Sequence, residues 1–152
     1  AGDGSDELFA VNVYQPRPAT VAMADQESTG RIASYQFCTY NEGKEGSDLR
    51  PVALDTYGAW LDDYEAKNGA TGYNWAYFAP DFDPEASKAS DGVPNAYDFI
   101  WMNSWASESE ESSGMAAYAE SGQEIQASFD EIMTCSDPLR YDVEINIRPA
   151  AL

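Results

Sequence analysis

Residues 97–105 read Tyr-Asp-Phe-Ile-Trp-Met-Asn-Ser-Trp and place four aromatic rings within nine positions. Successive side chains of a β-strand point to opposite faces of the sheet. On this alternation the two faces carry, respectively, Tyr97, Phe99 and Trp101, and Asp98, Ile100 and Met102. Both faces are largely apolar, which is typical of a central strand that is covered on both sides. Helices would cover one face, so the segment predicts a partner surface or a closed pocket on the other.

The remaining chain predicts the strands and helices around this segment. Strands are predicted at 7–14, 32–40, 73–78, about 96–104 and 140–148. Helices are predicted at 50–67 and from about residue 107 to Asp137-Pro138, with a break at Ser121-Gly122. From residue 31 onward the order is strand, helix, strand, strand, helix, strand, which is the split βαβ or ferredoxin-like arrangement.

We therefore expect an α+β fold in two parts. Residues 31–152 would form a ferredoxin-like sandwich, with a four-stranded antiparallel sheet and two helices on one face. With right-handed crossovers the strand order in that sheet is last, first, third, second. Residues 1–30 would form an N-terminal arm that carries the strand 7–14.

Charge excludes several classes of partner. The chain has 27 acidic and 8 basic residues, a net charge of −19, and no histidine. Nucleic acids and anionic membranes are bound through Lys and Arg, so this charge predicts that the protein binds neither. No apolar run approaches the length that a membrane helix needs. An acidic surface of this kind is typical of proteins from marine or halophilic microbes.

The N-terminus and the cysteines predict export. The sequence begins Ala-Gly-Asp-Gly-Ser-Asp-Glu, without an initiator methionine, as it would after removal of a signal peptide. We therefore expect a secreted protein, extracellular or periplasmic, in which Cys38 and Cys135 meet an oxidising compartment. In the expected fold the first strand of the domain and the second helix end at the same edge, so we predict a Cys38–Cys135 disulfide. Cys38 shares a face with Gln36 rather than with Phe37, so the pairing needs a bulge or a wrapped edge.

Three features together resemble a known superfamily. They are the segment Phe37-Cys38-Thr-Tyr-Asn-Glu-Gly-Lys44, a helix that bears a tryptophan, and Tyr97-Asp-Phe-Ile-Trp101. Residues 31–148 resemble the dimeric α+β barrel proteins, which include the antibiotic-biosynthesis monooxygenases, and are more loosely similar to uncharacterised exported proteins of marine bacteria. The resemblance implies that two sheets pack together and enclose a cavity on the side without helices. It also implies cofactor-free oxygenase chemistry or haem handling, although the haem-handling members commonly use a histidine ligand.

Candidate sites are few, and the sequence predicts no catalytic residue. Without histidine, Ser-His or Cys-His catalysis and a His-ligated metal are excluded. Asp81, Asp83 and Asp91 lie in an acidic loop that is either a Ca²⁺ site or simply solvated; otherwise no cofactor is expected. The polar face of the last strand lies beside Ser34 and Gln36 and predicts a polar patch on the helix-free side. A buried Glu144 or Asp142 there would be a candidate base.

Two functions of different class remain open. The first is a self-associating structural protein without catalytic activity, a dimer or a filament-like polymer that is more stable in high salt. Its contacts would come from the apolar strand of the arm, through Leu8, Phe9, Val11 and Val13. This strand could pair with the edge of its own sheet or with the edge of a neighbouring copy. The second is a small-molecule-binding protein or cofactor-free monooxygenase with a small aromatic ligand. Its pocket would be formed by Gln36, Trp75, Tyr77, Trp101, Glu144 and Arg148.

Overall fold

A computed structural model describes residues 11–80 and 97–146 and shows an α+β fold. Its strands are β1 (Val11–Arg17), β2 (Arg31–Tyr40), β3 (Asn74–Pro80), β4 (Phe99–Trp105), β5 (Met133–Cys135) and β6 (Leu139–Val143). Its α-helices are α1 (Gly46–Pro51), α2 (Tyr57–Asn68), α3 (Glu108–Ser121) and α4 (Gln123–Ile132). A π-helical turn at Val52–Thr56 joins α1 to α2, and a 3₁₀ turn lies at Met23–Asp25.

The six strands form one antiparallel sheet in the order β1-β3-β4-β2, with β5 and β6 both paired to β2. The four strands predicted after residue 30 lie in the predicted order. The four-stranded ferredoxin-like sandwich is nevertheless wrong, because two further strands join the sheet. The chain leaves α4 at Ile132, well before Asp137-Pro138, and its next three residues extend along β2 as β5.

The N-terminal strand is an edge strand of this same sheet. β1 pairs with β3 of its own chain, from Val11 opposite Pro80 to Arg17 opposite Trp75, with a bulge between Tyr14 and Arg17. Pro16 falls in that bulge, where its missing N–H costs no ladder bond. Of the residues predicted to mediate assembly, Leu8 and Phe9 lie outside the described residues, and Val13 is 56% exposed.

Arg17 fastens β1 to α2. Its guanidinium Nη1 lies 2.7 Å from an Asp62 oxygen and its Nη2 lies 3.1 Å from a Glu65 oxygen, while Nη1 also donates to the Gly58 carbonyl. The Arg17 and Glu65 side chains are mostly buried, so this pair is screened less by water than a surface pair.

The predicted helix 50–67 starts earlier and is interrupted. It begins after Glu45, whose side chain forms a capping box with Asp48. Pro51 lacks an N–H, and the π-helical turn follows it directly. A π-helical turn holds one residue more than an α-helical turn, which shifts the apolar stripe of the helix, and Leu54 is 39% exposed. α2 ends where expected, at Asn68-Gly69, with Gly69 in the left-handed region at φ 94°.

The second helical region has the predicted break. Ser107 is the N-cap of α3 and accepts a hydrogen bond from the Glu110 N–H. Gly122 separates α3 from α4. α4 buries Ile125, Phe129 and Ile132, whereas no residue of α3 is buried. α4 is therefore the helix that packs on the sheet, and α3 contributes little to the core.

The helices cover the face of the sheet that was predicted to be free of them. The strand residues of the core cluster are Ile32 and Cys38 on β2, Trp75 on β3, and Phe99, Trp101 and Trp105 on β4, together with Tyr73. They pack with Leu49, Leu61 and the buried residues of α4. Ser34 and Gln36 share the Cys38 face of β2, and Arg140 is paired opposite Ser34. The prediction of a polar patch on the helix-free side is thus wrong, since these residues point toward the helices.

The predicted disulfide is present and explains this orientation. Cys38 lies directly opposite Cys135 in the β2–β5 pair, and the two sulfurs are bonded. Cys135 follows α4 by three residues, so the chain from α4 approaches β2 on the Cys38 face. The mismatch between Cys38 and Phe37 needs neither a bulge nor a wrapped edge, because it is the Cys38 face that meets the helices.

Removing this disulfide should destabilise the protein. It closes a loop with a sequence separation of 97 residues, and in the chain-entropy model such a crosslink stabilises by about 4–5 kcal/mol, less where the reduced chain retains structure. We expect Cys38→Ala/Cys135→Ala to lose about 2–5 kcal/mol of the free energy of unfolding in urea. Thr39→Ala/Thr134→Ala, the next pair along the same two strands, is the control and should change little. An unchanged urea midpoint in the cysteine variant would contradict the prediction.

Candidate functional site

A cavity of about 490 Å³ lies between the helix-covered face of the sheet and helices α2, α3 and α4. Its floor is formed by β2 and β4, and its walls by side chains of the three helices. It exists because α3 carries mostly alanine, serine, glycine and glutamate, and buries no side chain in the core. The volume lies in the range of small-molecule sites.

The floor carries polar groups that have no partner among the described residues. Ser34 and Asn103 are directly opposite each other on β2 and β4, and both line the cavity. Ser34 is 4% exposed, yet its hydroxyl makes no hydrogen bond to any described residue. Asn103 Oδ1 accepts hydrogen bonds from the Tyr73 hydroxyl at 2.8 Å and Trp101 Nε1 at 3.0 Å. These bonds orient the amide, and its Nδ2 has no acceptor within the described part of the chain.

Two buried tyrosines support the floor. The hydroxyls of Tyr57 and Tyr73 are 2.8 Å apart, so the hydrogen bonds run from α2 through Tyr73 to Asn103. Burial raises the pKa of Tyr57 to about 12, although the Tyr73 hydrogen bond and the Arg17 charge lower it. Burial also holds the pKa of Tyr73 well above its ordinary value, and Tyr57 adds to that shift. Both phenols therefore remain neutral at physiological pH and serve as hydrogen-bond donors.

One wall of the cavity is aromatic. On α2, the rings of Tyr57 and Tyr64 stack on either side of Trp60, with centroids 6.1 and 5.6 Å from it. The ring of Tyr118 on α3 meets Trp60 edge-on at 5.3 Å. The Trp60 Nε1 donates to the Ser121 hydroxyl at 2.8 Å, which fixes the indole between the two helices. The wall is therefore a preformed set of rings rather than a loose apolar surface.

The charged groups around the cavity are mostly paired. Glu65 binds Arg17 as described above. Both oxygens of Glu110 accept backbone N–H groups, from Gly72 and Ala106. Glu111 holds Arg140 through both carboxylate oxygens at 2.8–3.0 Å.

Asp130 is less committed. One of its oxygens accepts from Gln126 Nε2 at 2.8 Å, and the other accepts no hydrogen bond from the described residues. Burial raises the pKa of Tyr118, and the charges of Tyr57 and Asp130 raise it further. Of the four carboxylates that line the cavity, Asp130 is therefore the one with an oxygen that can still accept a hydrogen bond from a ligand.

The structure brings part of the predicted ligand set to this cavity. Gln36 and Trp101 line it. Trp75 is buried beneath, stacked on Trp101 at 4.2 Å, and the Tyr77 hydroxyl pairs with the Tyr40 hydroxyl instead. Glu144 is exposed and does not line the cavity, and Arg148 lies outside the described residues.

The carboxylates predicted as a base are not enclosed. Asp142 and Glu144 are both exposed to solvent. The burial that the base hypothesis required is therefore missing at both positions.

Sequence reasoning missed Asn103, Tyr57 and Tyr118 as members of the site. One signal could have found Asn103. The helix-facing residues of β4 are Phe99, Trp101, Asn103 and Trp105, so an amide interrupts an otherwise aromatic row. A partly buried amide in such a row indicates a polar site, because polar groups away from bulk water are normally hydrogen-bonded.

The remaining predictions concern the acidic loop, metal binding and the membrane. The acidic loop with Asp81, Asp83 and Asp91 lies outside the described residues. Within residues 11–80 and 97–146 no group of three or more acidic or cysteine side chains is placed to hold a metal ion. No helix in that same part of the chain is long and apolar enough to cross a membrane.

No protein-family model matches this chain, and no curated protein or solved structure matches it either. The resemblance to dimeric α+β barrels therefore stays a prediction.

The pH dependence of stability should report the buried tyrosines. The folded pKa of Tyr57, about 12, lies above the ordinary value of about 10. Its contribution to stability is therefore present below pH 10 and lost as the pH rises from 10 to 12. We expect Tyr57→Phe to lose less free energy of unfolding over that interval than the wild type, measured by urea titration at each pH. Tyr141→Phe, at an exposed position, is the control and should keep the wild-type slope. Equal slopes for all three proteins would contradict the assignment.

Proposed function

We propose that the protein binds a small molecule in the cavity between the sheet and helices α2, α3 and α4. The observation that carries the proposal is the floor, where the Ser34 hydroxyl and the Asn103 Nδ2 have no hydrogen-bond partner in the described structure. A few polar groups in such a cavity fix the orientation of a ligand, and one ligand oxygen would pair with both of these. The aromatic wall supplies the contact area that such a ligand needs.

Binding is a better proposal than catalysis. The polar groups of the floor are a hydroxyl and amides, and no histidine exists in the chain to activate a nucleophile. Export to the extracellular space or the periplasm belongs to the same proposal, and the Cys38–Cys135 disulfide supports it. The net charge of −19 supports an origin in a marine or otherwise salty habitat.

Filling the cavity should abolish binding without unfolding the protein. Gly114 on α3 lines the cavity, and a methyl group built there would be in ordinary contact with Trp105 Nε1 at 3.8 Å. We expect Gly114→Leu to occupy the ligand space and to weaken binding at least tenfold. Gly114→Ala is the matched control, since it leaves most of the space free and favours the helix by about 0.5–1 kcal/mol.

The measurement is tryptophan fluorescence during titration with three probes of different charge: choline, benzyl alcohol and benzoate. Trp60, Trp101 and Trp105 line the cavity and report its occupancy. A saturable response to at least one probe in the wild type and Gly114→Ala, absent in Gly114→Leu, is expected. A wild type that binds none of the probes, or a Gly114→Leu variant that binds as the wild type does, would contradict the proposal.

We propose self-association through the helix-free face of the sheet as a second function. Tyr35, Phe37, Ile100 and Met102 form the centre of this face, paired across β2 and β4, and none of them belongs to the core cluster. Leu139 and Tyr141 extend it along β6 and are about half exposed. The centre carries no charge, so a second copy could pack there as a dimer or as part of a larger assembly.

Salt should favour that assembly. Two copies at −19 repel each other, and at about 0.5 M salt the screening length falls to a few ångströms. We expect a larger oligomer in sedimentation velocity at that salt than at low salt. Met102→Lys should abolish it, while Leu54→Lys, at an exposed position on the helical side, should not. A wild type that remains monomeric at high salt would contradict self-association.

A further inference from the structure

The charge around the cavity indicates the chemical class of its ligand. Its described lining contains four carboxylates and one guanidinium, those of Glu65, Glu110, Glu111, Asp130 and Arg140. The site lies in a protein with a net charge of −19. The field of such a protein concentrates cations and repels anions at a cleft lined by acidic groups.

The charge of Arg140 is already balanced by carboxylates. Its guanidinium donates to both oxygens of Glu111, and Nη2 also lies 3.4 Å from Glu108. This pairing raises the pKa of Arg140, so the group stays charged and stays with its carboxylates. An anionic ligand at Arg140 would lie beside the Glu111 carboxylate, which repels it and whose side chain is only 15% exposed.

The aromatic wall suits a cation. The π faces of tyrosine and tryptophan carry negative potential, and cages of such rings bind ammonium groups, especially methylated ones. Tyr118 lines the cavity beside Asp130, with which it interacts electrostatically, and one Asp130 oxygen is unpaired in the described structure. An ammonium group held there would contact rings and a carboxylate together.

The floor requires an oxygen at the other end of the ligand. The Asn103 Nδ2 is a donor, and the Ser34 hydroxyl can donate or accept. A hydroxyl or carbonyl oxygen would pair with both, whereas a second ammonium group would oppose the Asn103 donor. The two ends of the cavity therefore favour different groups on one ligand: an ammonium group at the aromatic wall and an oxygen at the floor.

We infer that the ligand is a small organic ammonium compound with a hydroxyl or carbonyl oxygen. Its cationic group lies at the aromatic wall beside Asp130, and its oxygen lies at Ser34 and Asn103. The inference rests on the proposed function, since it assumes that this cavity binds a ligand.

The decisive comparison is between cations and their neutral carbon isosteres. Choline and acetylcholine differ from 3,3-dimethylbutan-1-ol and 3,3-dimethylbutyl acetate only by nitrogen in place of carbon, and hence by charge. We expect at least one of the two cations to bind in isothermal titration calorimetry, at least ten times more tightly than its isostere. That affinity should fall as salt is raised.

Two variants locate the effect. Asp130→Asn keeps the shape and the Gln126 contact while removing the charge, and should weaken the cation at least threefold without changing the isostere. Glu131→Gln is the matched control, because it removes one charge from the neighbouring position of α4 and does not line the cavity. It should leave both affinities as they are.

The outcomes separate this inference from the proposed function. If the neutral isosteres bind as tightly as the cations, the cavity binds a ligand but the charge assignment is overturned. If benzoate binds and the cations do not, the assignment is likewise overturned. If no probe of any charge binds, the proposed function fails and the inference fails with it. Equal losses of affinity for the cation in Asp130→Asn and Glu131→Gln would show that net charge, rather than the position of Asp130, is responsible. That result would overturn the role of Asp130.

Discussion

The pairing of β2 with β4 is the constraint on which the rest of this structure depends. It sets four cross-strand pairs on the helical side, which are Cys38–Phe99, Gln36–Trp101, Ser34–Asn103 and Ile32–Trp105. Because side chains alternate, the same register sends Tyr35, Phe37, Ile100 and Met102 to the opposite face. A shift of β4 by one residue would send Phe99, Trp101, Asn103 and Trp105 to the opposite face.

Along this row of four pairs, the side chains change from apolar to polar and back to apolar. Phe99 and Cys38 are fully buried under α4, and the middle of the row carries Gln36, Ser34 and Asn103. Large apolar side chains from α4 fill one part of the space above the row. α3 brings small and acidic residues instead, so the space below it stays open. The cavity is therefore a consequence of helix composition acting on a polar section of the sheet.

The carboxylates around this cavity have two different roles. Three of its carboxylates are used for structure, in holding Arg17, Arg140 and the start of α3. Those contacts fix the walls and neutralise the nearby guanidinium groups. What remains at the site is an uncommitted carboxylate beside aromatic rings, together with the general negative field. This combination distinguishes the cavity from the uncharged apolar face on the other side of the sheet.

Much of the fold follows from local pattern in the sequence. The strands around residues 32–40, 73–78 and 97–105, the break at Ser121-Gly122, the stop at Asn68-Gly69 and the relative order of four strands all follow from alternation, spacing and turn residues. The Cys38–Cys135 bond follows from that order. These features depend on neighbours in sequence or on simple topological rules, which is why they could be predicted.

Only the tertiary structure decided which face of the sheet the helices cover, and that choice moved the whole candidate site. Both faces of β4 are apolar, so hydrophobicity alone could not separate them, and the parity of Cys38 was the one local indication. The addition of β5 to the sheet was equally beyond local pattern, and so was the choice of β1 between its own sheet and a neighbour's, because a short strand is stabilised by the edge that it meets rather than by its own sequence. The role of Asn103 likewise depends on the tertiary structure, since a lone amide forms part of a site only when Ser34, Tyr73 and an open cavity lie around it.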